Sequence, residues 1–228
     1  MADDAQRLIL ASGSPQRLDL LRAHGFSPKV RRPDVDETPQ PGEDPTALVE
    51  RLAMAKLAAV VDNHETGLAA DTVVVLDGEV LGKPGRPDWA TEMLRRLSGR
   101  THEVVGGLAV CHGGYTISGV VRTLVTFREF DDDEIDAYVA TGEPLDKAGA
   151  YAIQGGAAGF VTKVDGCREN VVGLSIPAVL AALKSLWAQS ACCSGSTRRW
   201  SAVRNRLAPS RTTTRPVIAA EPRIRNRI

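Results

Sequence analysis

Short, wholly apolar runs alternate along this chain with stretches in which apolar residues recur every three or four positions. The first run, residues 8–11 (LILA), reads as a buried strand. It ends in Ser12-Gly13-Ser14-Pro15, where Ser14 suits a helix N-cap and Pro15 the first helical position. Leu18 and Leu21 share one face of the helix that follows, and Gly25 stops it. Residues 29–32 read as a second strand. After a loop rich in Pro and acids, Asp44-Pro45 opens a helix with Leu48, Leu52, Ala55 and Ala59 along one face. The stretch GLAADTVVVLDGEVLGKP predicts a hairpin about Asp77-Gly78. Residues 88–97 predict a helix carrying Trp89, Met93 and Leu97 on one side, ended by Gly99. Residues 104–111 and 116–127 are two strands joined across HGGY. DDDEIDAYVATGEP is a short helix with its acids in the first turn, where the helix dipole favours them. Residues 159–164 form one more strand. Residues 177–188 form a last helix striped by Val179, Leu180, Leu183 and Leu186. Strands and helices interleave, so the class is α/β, and the antiparallel pairs make the sheet mixed.

The pattern stops near residue 189, and composition sharpens that boundary. Of 228 residues, 28 are basic and 28 acidic, but nine Arg and a single acid, Glu221, lie beyond Gln189. An acidic body, residues 1–189, is thus followed by an Arg-rich extension, residues 190–228. The extension is too poor in apolar residues for a core and is expected to be disordered. A basic tail can touch nucleic acid, but a solvated tail is the simpler reading and no stable nucleic-acid complex is expected. No signal peptide and no membrane-length apolar run is visible. Cys111, Cys167, Cys192 and Cys193 have neither zinc nor disulfide spacing, which fits a cytoplasmic protein.

Several polar residues interrupt these patterns. Ser12-Gly13-Ser14 between a strand and a helix is either a plain cap or an anion cradle, because helix N-termini leave N–H groups unpaired. Arg17 lies one turn in and reaches the same anion. Asp71 sits inside an otherwise apolar run, where a carboxylate needs a counter-charge or a metal. Glu37 lies in the acidic loop and is either a second metal ligand or a solvated side chain. Lys56 interrupts an Ala-rich helix face, and Lys83 lies in LGKP. Gln154 in AIQGGAAGF carries both a donor and an acceptor for a base edge. Asn170 precedes a buried run and reads as a turn or cap residue.

Taken in order, LILASGSPQRLDLL, VDET, AMAKLAA, AADTVVVLDGEVLGKP, LSGRTHEV, GEPLDKAGAYAIQGGAAGFV and NVVGLS make the chain resemble the Maf family of nucleoside triphosphate pyrophosphatases. The resemblance spans nearly all of the chain before the tail. It implies a mixed, elongated sheet flanked by helices in two lobes around a central cleft. It also implies hydrolysis of a nucleoside triphosphate to monophosphate and pyrophosphate with a divalent cation, Mg or Mn, in a homodimer. On that resemblance Ser12, Arg17, Lys56 and Lys83 bind phosphate, Glu37 and Asp71 hold metal, and Asp71 is the general base. One branch of the family prefers dTTP and UTP, the other 7-methyl-GTP. Three positions track the split, here Gln16, Thr72 and Gln154. Thr72 and Gln154 match the dTTP/UTP branch, and Gln16 matches neither. Gly106 stands where the family commonly has Thr. The rival readings are a 7-methyl-GTP pyrophosphatase and a nucleotide-binding regulator of cell division with weak hydrolysis.

Overall fold

The computed structural model describes the backbone of residues 8–193 and the side chains of residues 8–190. The Arg-rich extension expected to be disordered lies outside the described residues, apart from its first few, as do the side chains of Cys192 and Cys193. In chain order the elements are β1 (Leu8–Ala11), α1 (Pro15–Ala23), β2 (Lys29–Arg31), α2 (Pro45–Val60), β3 (Thr66–Leu76), β4 (Glu79–Leu81), α3 (Pro87–Leu97), β5 (Thr101–His112), β6 (Tyr115–Phe127), α4 (Asp132–Ala140), β7 (Val161–Asp165), α5 (Arg168–Val172) and α6 (Ile176–Cys193). Three short 3-10 turns, Glu143–Asp146, Ala148–Ala150 and Gly156–Phe160, link α4 to β7.

The strands form one mixed sheet in the order β2-β1-β3-β5-β6-β7, with β4 also paired to β3. β1 runs parallel to β2 and β3, and every other pairing is antiparallel. The hairpin turn is as its sequence demands: Asp77 and Gly78 both have positive φ, 52° and 83°.

β3 explains the two lobes. Successive residues of a strand face opposite sides. Ala69, Val73 and Val75, with Val105 and Ala109 of β5, pack under α2. On the other face, Leu68 and Ala70 join one core with Leu21 of α1 and Val179, Leu183 and Leu186 of α6. Val74 and Leu76 join a second core with Leu94 and Leu97 of α3 and Ile135 and Tyr138 of α4. The two cores part at Thr72.

The edge of β3 parts at the same place. β5 covers one edge continuously from Gly67 to Val75. On the other edge β1 pairs with Thr66–Ala69 and β4 with Val74–Leu76. Among the described residues, no strand therefore lies beside 70–73 on that edge. β1 is parallel and β4 antiparallel to β3, so both end at this gap. The turn after β1 carries Ser12, and the loop after β4 carries Lys83.

Three helix faces differ from the sequence reading. In α2 the buried stripe is Leu48, Val49, Leu52, Ala53, Lys56 and Leu57, and Ala59 is exposed. A lysine on the inner face draws the stripe away from the one that counting apolar residues gives. In α3 the buried residues are Ala90, Leu94 and Leu97, while Trp89 is exposed under the Arg86 guanidinium. In α6 Leu180 is exposed and Ala182 takes the inner position, and the helix starts at Ile176 and continues to Cys193.

Candidate active site

The gap in the β3 edge is the floor of a cleft of about 980 Å³. Ser12, Gln16, Arg17, Glu37, Lys56, Asp71, Thr72, Lys83 and Gln154 all line it. The nine positions named from the sequence thus fall on one surface, although they are spread over more than 140 residues.

Two groups of direct contacts organise them. The first surrounds Lys56. α2 comes close to the sheet because β5 has Gly107 opposite Asp71; a Cβ at Gly107 would lie 2.2 Å from the Val49 carbonyl oxygen. The nearly buried Lys56 ammonium donates to Asp71 Oδ1 at 2.6 Å and pairs with Glu37 Oε1 at 2.8 Å. Asp71 is buried and Glu37 is exposed. The ion pair offsets the cost of burying the Asp71 charge. The second carboxylate oxygen of Asp71 has no hydrogen-bond partner among the described residues.

The second group surrounds Arg17. Ser14 caps α1, its Oγ accepting from the Arg17 backbone N–H at 3.5 Å. Arg17 Nη1 donates to Ser12 Oγ at 3.1 Å, Nη2 to Thr72 Oγ1 at 3.3 Å, and Nε to the Gly173 carbonyl at 2.9 Å. Thr72 Oγ1 donates to that same carbonyl at 3.3 Å. Burial lowers the Arg17 pKa, and the Asp71 and Glu37 carboxylates oppose the shift. The first turn of α1, with its N–H groups, faces the cleft alongside this cation. Gln16 turns back on the cap, where its Oε1 accepts from Ser14 Oγ at 3.0 Å.

Across the gap the arrangement is looser. Lys83 and Gln154 are exposed and make no hydrogen bond or ion pair among the described residues. Their backbone is nonetheless fixed. Gly149 N–H donates to Gly82 O at 3.1 Å, and Gly85 N–H donates to Leu145 O at 3.0 Å. These bonds clamp the Lys83 loop to the segment carrying Lys147.

Among the described residues no group of three His, Cys, Asp or Glu side chains stands ready for a metal. The donor set nevertheless fits a hard divalent cation. Two carboxylates converge on one point, now held by the Lys56 ammonium, and magnesium commonly takes one or two carboxylates plus phosphate oxygens.

Comparison with known proteins places the chain in a family. The profile of the family described as Maf-like protein matches residues 7–186. The chain belongs to this family. A relative from Anaeromyxobacter dehalogenans (strain 2CP-C), named dTTP/UTP pyrophosphatase, is 50% identical over 184 residues, covering 79% of this chain and 94% of the relative. A relative of the same name from Geobacter sp. (strain M21) is 47% identical over 186 residues, covering 79% of this chain and 96% of the relative. The family match ends close to the point where the hydrophobic pattern fades.

Several cleft residues escape the sequence reading. Lys147 lines the wall beside Lys83 and pairs with Asp146. Its signal lay within the DKAG of a stretch already quoted, masked by the glycines around it. Arg32 lies along Gly13, its side chain 3.7 Å from where a Cβ there would be. The Gly173 carbonyl carries no side-chain signal at all. Asn170 is not a turn or cap residue: it is buried within α5.

Proposed function

We propose that this protein hydrolyses dTTP and UTP to the nucleoside monophosphate and pyrophosphate, with Mg or Mn as its divalent cation. The observation that carries the reading is Asp71: a buried carboxylate on the uncovered stretch of β3, with one oxygen anchored by Lys56 and the other without a hydrogen-bond partner among the described residues. Such a group is placed to orient a water molecule and take its proton.

In this mechanism Ser12, the N–H groups that open α1, and Arg17 hold phosphate oxygens on one side of the gap. Lys83 holds them on the other. Asp71 accepts a proton from the attacking water as the new bond to the α-phosphorus forms. The bond from that phosphorus to the bridging oxygen breaks, and pyrophosphate leaves. Lys83 and Lys56 balance its charge, which is the electrostatic work expected of such sites. The bound cation, held by Glu37 and Asp71, supplies charge neutralisation and Lewis-acid polarisation at the phosphate oxygens. Thr72 and Gln154 read the base, and the names of the two relatives support the pyrimidine preference.

This reading also treats residues 1–189 as the catalytic domain, residues 190–228 as an appendage, and the protein as a cytoplasmic homodimer. Free thiols at Cys111 and Cys167 are consistent with a reducing compartment. No helix among the described residues is long and apolar enough to cross a membrane.

The test is pyrophosphate release from dTTP, UTP and 7-methyl-GTP by the purified full-length chain with Mg or Mn. We expect kcat/KM for dTTP and UTP to exceed that for 7-methyl-GTP by roughly tenfold or more. The opposite order sinks the specificity assignment alone. Nucleotide binding without any pyrophosphate release sinks the enzyme reading and leaves the regulator.

A further inference from the structure

α5 is only five residues long, yet it delivers the carbonyl on which Arg17 and Thr72 both converge. A helix this short has too few internal hydrogen bonds to hold its own position. Its end is set by Gly173, whose φ of 132° suits glycine and whose N–H donates to the Glu169 and Asn170 carbonyls at 3.0 Å. What seats it on the sheet is Asn170.

Asn170 is 2% exposed and spends its amide on the sheet. Its Nδ2 lies 3.1 Å from Val104 O, 3.2 Å from Val121 O and 3.2 Å from Thr123 Oγ1, so it bridges β5 and β6. Thr123 Oγ1 also accepts from the Cys167 N–H and donates to the Cys167 carbonyl, both at 3.2 Å, pinning the start of the helix. This arrangement needs a missing side chain. A Cβ on Gly106 would lie 2.0 Å from Asn170 Oδ1 and 3.1 Å from its Cγ, which no packing adjustment short of moving Asn170 can absorb. Gly106 is also the register partner of Thr72 across β3 and β5. The vacancy, the amide and the threonine are therefore stacked at the point where the two cores part.

We infer that Asn170, seated over Gly106, is a positioning residue for nucleotide binding: it fixes α5 so that the Gly173 carbonyl orients Arg17 and Thr72 toward the substrate. The inference rests on the proposed nucleotide site. It predicts a particular coupling, because Gly106 matters only through the side chain it makes room for.

The experiment measures kcat and KM for dTTP in wild type, Asn170→Ala, Gly106→Ala and the double variant. Each single substitution raises KM about tenfold and changes kcat less than about threefold, because binding is lost without loss of the base. In the double variant the new Cβ enters space that the truncated side chain has left. KM then stays near that of Asn170→Ala instead of rising a further tenfold. If either core substitution fails to fold, Thr123→Val serves in its place. That near-isosteric change removes the Cys167 clamp and one Asn170 partner, and it raises KM about threefold. Unchanged KM in the folded variants, multiplicative effects in the double variant, or losses confined to kcat and Tm would each overturn the inference. Wild type that binds no dTTP points instead to failure of the proposed function.

Discussion

The two walls of the cleft are built on opposite principles. The Arg17 wall is organised before any ligand arrives. Arg17 makes three side-chain hydrogen bonds, to Ser12, Thr72 and Gly173, and Thr72 shares the last of these. On the Lys83 wall the backbone is fixed and the two candidate side chains are not. Lys83 and Gln154 stand exposed without partners among the described residues, on loops tied together by Gly149–Gly82 and Gly85–Leu145 hydrogen bonds. A preorganised wall loses little entropy on binding but is coupled to the stability of the fold. A wall of free side chains orders only around a ligand and can be changed at little cost to folding. Asp71 lies between them, and its removal is the limiting case for either wall.

Asp71→Asn is expected to give the largest loss. The amide keeps the shape and an acceptor for Lys56, and Glu37 remains as counter-charge, so circular dichroism should report a folded protein. Without a base, kcat for dTTP should fall at least about a hundredfold. Turnover near that of wild type would remove Asp71 from the chemistry and leave it as the ion-pair partner of Lys56.

The walls are then separated by one substitution on each side. Arg17→Ala removes charge-assisted hydrogen bonds worth roughly 1.5–3 kcal/mol. KM should rise roughly ten- to a hundredfold, and Tm should fall as well, because the Gly173 carbonyl and the Ser12 and Thr72 hydroxyls each lose one hydrogen-bond donor. Lys83→Ala should raise KM about tenfold, the effect of one exposed cation on a phosphate, with Tm unchanged. Thermal melts of both variants, beside their KM values, decide the matter. An equal fall in Tm for the two would show that Lys83 is built into the fold and would end the contrast.

The contrast also explains what the sequence made legible. The strands, the Asp77-Gly78 turn and the caps at Ser14 and Asp44 follow from local chemistry, and they appear where their residues call for them. The nine candidate residues were visible as polar interruptions and through family resemblance, and they share one cleft. What escaped depends on long-range register or on backbone atoms. The Gly173 carbonyl has no letter of its own. Asn170 is eloquent only once Gly106 lies beneath it, 64 positions earlier in the chain. Lys56 misled the stripe of α2, because a charge is normally placed outside. Leu180 and Trp89 misled α6 and α3, because burial on a helix is decided by which face the sheet offers and not by the size of the residue.

The smallest expected effect concerns the foundation of the looser wall. Tyr151, which lines the cleft, is held from behind by His102 on β5: its hydroxyl lies 2.8 Å from His102 Nε2. Both rings pack edge-on against Phe127. His102 is 2% exposed, and its Nδ1 has no hydrogen-bond partner among the described residues. Burial pushes its pKa down to about 4 from 6.5. Below the unfolded value of 6.5 and above 4, the unfolded chain binds a proton that the folded chain does not. This group's contribution is therefore complete above about pH 6.5 and declines as pH falls toward 4. Between pH 7.5 and 6.0 the loss is about 1 kcal/mol, or roughly 2–4 °C in Tm for a body of this size. Arg partners hold the Glu43 and Glu65 carboxyls down to about 2, far below that window. His102→Gln cannot take up the proton, so its Tm should fall less than that of wild type over the same interval, although its absolute Tm is lower. Parallel Tm curves for the two proteins would show that His102 is not the group titrating beneath the Lys83 wall.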